Sequence, residues 1–101
     1  MDQVEAQLDQ LDRFLAHAVH DKPARALIAG KLSAHTRNVV DDLLHVYSAE
    51  LAVAEISLIT AIMAYELDGT EQSLDALRER LREFHVAVAA ARADLIVAVA
   101  A

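Results

Sequence analysis

Residues 51–67 read LAVAEISLITAIMAYEL, a run that is apolar on nearly every side of a helix and whose charges are Glu55 and Glu66. Such a helix has to be covered by more than one neighbour. A chain of 101 residues has a small core to offer. The run therefore points to a partner subunit, a bound ligand or a membrane before it points to any chemistry.

The rest of the chain is also written for helices. Hydrophobic residues make up 55%, against 2 glycines, 1 proline and 4% aromatics. Alanine, leucine and glutamate carry little helix cost, and the turn-forming residues that a β protein of this length needs are nearly missing. The expectation is one all-α domain over residues 1–101 with no sheet.

Sixteen acidic against nine basic side chains leave a formal charge of −7, which repels phosphate backbones, so nucleic acid is not an expected partner. The chain has no cysteine, which removes disulfides and thiolate metal sites. Its first residues, MDQVEAQLDQLD, are acidic and amphipathic, where a secretory signal starts basic and turns apolar. A cytoplasmic location is expected.

Working outward from the opening run, Asp68-Gly69-Thr70 reads as a turn: Gly69 can adopt the left-handed conformation that ends a helix, and Thr70 can cap the next. The helix beyond it, over about 71–100, repeats Leu74, Leu77, Leu81, Phe84, Val88, Ala91, Leu95 and Ala98 at spacings of three and four. On the other side no breaker is visible between Ser33 and Leu67, which predicts one helix of about 35 residues and about 52 Å. On it, Asp41, Ser48, Glu55 and Glu66 form a polar stripe. Val40, Leu44, Tyr47, Leu51, Ala54 and Leu58 run along one apolar flank, and Val46, Val53, Ile56, Met63 and Leu67 along a second. Gly30 and Ser33 suggest a break near residues 30–33. Val4, Leu8, Leu11, Leu15 and Ala18 line one face of an N-terminal helix over about 2–20, which Pro23 brings to an end.

These lengths make an architectural argument. The N-terminal helix spans about 28 Å and cannot cover a hairpin nearly twice as long. Folding back from Pro23, it would lie along the end that holds residues 33–50 and 86–101, leaving residues 51–67 uncovered. A second copy of the chain is expected there, giving a homodimer whose contact surface includes Leu51, Ile56, Leu58, Ile59, Ile62 and Met63, with room left for a second protein partner. A membrane is disfavoured, because the run is shorter than the roughly 20 residues of a span and carries two glutamates.

The five histidines, His17, His20, His35, His45 and His85, invite a metal reading. His17 with Asp21 and Asp41 with His45 stand four apart, as two-ligand half-sites on a helix do. However, the Glu-x-x-His of di-iron bundles is not present anywhere in the chain. In the hairpin register His85 falls opposite Val53 and His45 opposite Ala93, which spreads the histidines along the bundle. The expectation is solvated or capping histidines, with no metal and no cofactor.

Two short resemblances touch these residues. Arg80, four residues and then His85 resembles the Arg-x4-6-His signature of HEPN-type ribonucleases, dimeric helical bundles that place this pair at their interface; Leu81 stands where a polar residue usually follows the arginine. Ala34-His35-Thr36 resembles the start of the phospho-accepting helix of histidine phosphotransfer domains, with Asn38 and Val39 in place of that family's lysine and glycine. Nothing supports nucleophilic catalysis, since cysteine is absent, Ser33, Ser48, Ser57 and Ser73 fall in helices or caps, and Gly30 and Gly69 are the only glycines for a phosphate loop.

The reading that follows is a small non-enzymatic helical bundle acting through protein–protein contact as an adaptor, regulator or assembly subunit. Behind it stand a ligand or metal site drawing on His17, His45, Glu55, His85 and Arg92, and then a HEPN-like dimeric ribonuclease.

Overall fold

The computed structural model describes residues 22–100, with side chains described for 22–95. Within them the chain forms α1 (Lys22–Asp41), a 3-10 turn (Leu44–Val46), α2 (Ala49–Asp68) and α3 (Glu71–Ala100). Among the described residues there is no strand. The helix expected over residues 2–20 lies outside them, as do His17, His20 and Asp21.

The hairpin of α2 and α3 forms as its sequence demands. Gly69 sits at φ 62°, ψ 23° and returns its N–H to the Tyr65 carbonyl at 2.9 Å. Thr70 Oγ1 accepts the Ser73 N–H at 3.1 Å and so caps α3. The left-handed conformation favours glycine here, and a Cβ on Gly69 would also displace the Arg25 guanidinium, which it would meet at 2.6 Å. Arg25 Nε donates to the Glu66 carbonyl at 3.2 Å, which fixes the start of α1 beside this turn.

The arm before the hairpin differs from its sequence reading in two places. Gly30 does not break α1. It is exposed in mid-helix between Ala29 and Leu32, which are buried, and tertiary packing offsets its cost of about 1 kcal/mol. The break falls at residues 42–48 instead, where no glycine or proline marks it. Asp41 and Asp42 put negative charge at a helix C-terminus, against the macrodipole. The Leu43 N–H bonds the Val40 carbonyl at 2.9 Å, a 3-10 tightening that ends the helix. Ser48, extended at φ −106°, ψ 169°, then accepts the Leu51 N–H on Oγ at 3.2 Å and starts α2, with Glu50 in its first turn. A residue that looks like part of a polar stripe is an N-cap.

This break removes the length mismatch. α1 and α2 are each 20 residues, about 30 Å, and they pack antiparallel. α1 covers one side of residues 51–67. The core is Ile28, Leu32 and Val40 of α1, Leu51, Leu58, Ile62 and Tyr65 of α2, and the expected repeat of α3 from Leu74 through Leu77, Leu81, Phe84 and Val88 to Ala91. Thr36 is buried among them and satisfied by its own helix, its Oγ1 donating to the Leu32 carbonyl at 2.8 Å.

Candidate functional site

α2 has two apolar faces and the bundle uses one. Leu51, Leu58 and Ile62, three of the six residues assigned to the contact surface by sequence, are at most 2% exposed and belong to the subunit's own core. Ile56, Ile59 and Met63 do face outward, joined by Val53 and Leu67. Ala49, Val53, Ile56, Thr60, Met63 and Leu67 follow alternating steps of four and three, the seam of a coiled coil. Val53, Ile56, Met63 and Leu67 expose 57–78% of their surface, so nothing described in the subunit covers this seam. Beside it, Val53 and Ala54 of α2 and Val86, Ala87 and Ala90 of α3 wall an apolar groove of about 600 Å³. Among the described residues, no helix is long and apolar enough to cross a membrane.

The histidines are not all dispersed. His35 of α1 and His85 of α3 meet with Nε2 atoms 3.1 Å apart and ring centroids 5.2 Å apart, the planes tilted by 32°. His85 is buried and its ring lies edge-on to Phe84. Burial, and then the positive charge of Arg92, hold His35 below the ordinary histidine pKa. The hairpin register does not show this pairing, because a first arm over about 33–67 sets His35 far from His85, whereas the break at residues 42–48 places His35 on α1, outside the hairpin. A signal was present nonetheless: His35 stands between Leu32 and Val39, and His85 between Leu81 and Val88, in each case at core spacing.

The other candidate constellations are not assembled. Asp41 closes α1 and His45 lies in the 3-10 turn, so this pair does not share a helix face. Among the described residues, no group of three or more histidine, aspartate or glutamate side chains is placed to hold a metal. Arg80 Nη1 donates to Glu83 Oε2 at 2.5 Å, on the exposed side of α3, while His85 is buried against His35. The two residues of the HEPN-like signature thus part within the subunit. His35, the residue of the phosphotransfer resemblance, turns toward His85 and is only half-exposed. Glu55 accepts a hydrogen bond from the Tyr47 hydroxyl, and this bond, followed by burial, raises the Tyr47 pKa. Comparison with protein-family models, curated proteins and solved structures returned no match.

Proposed function

We propose that this protein is a cytoplasmic helical-bundle interaction module that forms a homodimer through the outward seam of α2 and works by binding rather than by catalysis. The observation that carries this reading is the exposed run Val53, Ile56, Met63 and Leu67 on a helix whose opposite face is already buried. A second copy suits it because the seam is self-complementary. An antiparallel two-fold pairing sets Val53 against the partner's Met63, Ala49 against the partner's Leu67 and Ile56 against the partner's Thr60, so each contact joins a larger to a smaller side chain. The charges on α2 itself, Glu50, Glu55, Glu66 and Asp68, are all acidic. Association should accordingly tighten as added salt screens their repulsion.

The test is native mass spectrometry and light scattering on the full chain beside Ile56→Asp and Met63→Asp. Twice the 11.0 kDa chain mass for the parent, and the chain mass with unchanged helicity for both variants, support the reading. A monomeric parent sinks it and leaves the seam to a different protein.

A further inference from the structure

The histidine pair is independent of the α2 seam, and its geometry carries a second assignment. Two imidazoles on one tetrahedral ion, with bonds of 2.0–2.1 Å, place their nitrogens about 3.3 Å apart and their ring centres about 5.2 Å apart. The Nε2 atoms of His35 and His85 are 3.1 Å apart and the ring centroids 5.2 Å. The two ligands come from α1 and α3, fifty residues apart in sequence, so the spacing is set by the bundle and not by local chain geometry. We propose that His35 and His85 form a two-histidine site for a divalent transition ion of the zinc class, bound through both Nε2 atoms with water in the remaining positions.

The surroundings suit such an ion in part. His35 is half-buried, while His85 is held among core side chains. Ligation requires neutral imidazole. In the empty site one ring donates Nε2–H to the other. On binding, that proton moves to the same ring's Nδ1, so two neutral histidines take up the ion without releasing a proton. Arg92 acts against the ion, since the guanidinium that disfavours a proton on His35 also disfavours a cation beside it. With two protein ligands and this opposing charge, affinity should be on the order of micromolar, well short of a closed four-ligand site.

The experiment is a titration of the full chain with Zn2+ near neutral pH, read by nuclear magnetic resonance of the imidazole nitrogens. One equivalent should move the His35 and His85 Nε2 signals together, and His35→Ala should weaken binding at least about tenfold. Arg92→Gln touches neither ligand atom and should tighten binding several-fold, an effect that a purely structural histidine pair has no reason to produce. His85→Ala removes a buried side chain, so His35→Ala, at a half-buried position, keeps the test decisive if that protein does not fold. Signals of His35 and His85 that stay in place in the folded parent, a shift confined to other histidines such as His45, or a His35→Ala variant that binds as tightly as the parent would each overturn the assignment.

Discussion

The inward and outward faces of α2 are about equally apolar, yet they do different work. Inward lie Leu51, Leu58, Ile62 and Tyr65, all at most 2% exposed; outward lie Val53, Ile56, Met63 and Leu67, all more than half exposed. The inward side also carries one awkward polar atom, the buried Tyr65 hydroxyl, which has no hydrogen-bond partner among the described residues. The outward seam has one polar member, Thr60, whose hydroxyl returns to the Ile56 carbonyl at 2.8 Å. In an ordinary monomer the polar atoms sit outside. An apolar helix shows how much surface needs cover, and only the fold shows which neighbour covers which half.

The widest separation between the faces should come from placing a charge on each. Leu58→Asp puts a carboxylate in the closed core, where it has no partner, at a cost of several kcal/mol against a total stability of about 5–10 kcal/mol for a domain of this size. Its far-ultraviolet circular dichroism should show lost helix and cooperative unfolding should disappear. Ile56→Asp, two residues away on the other face, should keep its helicity and a cooperative melt as a monomer, and lose the dimer with only the stability that association adds. Equal damage from the two substitutions would mean that the seam is part of the subunit's own core.

How far this division could be read in the sequence depends on the element. The turn at Gly69 and the α3 repeat were legible, because a left-handed glycine and a strict three-and-four spacing each leave a local mark. The two flanks on residues 51–67 were also legible as flanks. Assigning each to a neighbour was not, because that required knowing where the preceding helix stops. Asp41, Asp42 and Ser48 stop and restart it by dipole and capping effects of about 1 kcal/mol each, which are hard to see beside the absence of glycine and proline. Missing that break made the preceding arm too long, and the overlong arm in turn concealed α1 as the cover. The His35–His85 contact is hidden for the same reason, since it joins α3 to α1, a helix that a single arm over 33–67 does not separate.

Smaller changes sharpen the contrast. Ser48→Ala removes the cap that starts α2 and should lower stability by about 1 kcal/mol, measured by urea unfolding, with association little changed since Ser48 precedes the seam. Tyr65→Phe acts in the opposite direction. Burial raises the Tyr65 pKa, with Arg25 opposing, and the hydroxyl is desolvated without a compensating bond among the described residues. Removing it should leave stability unchanged or raise it by up to about 1 kcal/mol. A clear loss would mean that the hydroxyl is satisfied after all.

Acidity offers the mildest probe, and its sign follows from His35. The folded chain holds this group below its ordinary pKa of 6.5, first by burial and then through Arg92. The unfolded chain therefore binds a proton more readily over the interval between the two values, and stability must rise with pH there. The contribution is fully present above 6.5 and is lost as the pH falls from 6.5 toward the folded value. Unfolding midpoints in urea should decline over that interval, while the outward seam, which contains no histidine, provides no matching loss of dimer. Arg92→Gln removes the second cause of the shift, so it should move the folded pKa of His35 back toward 6.5 and shallow the decline. A decline as steep in this variant as in the parent would assign the whole effect to burial and leave Arg92 without influence on the pair.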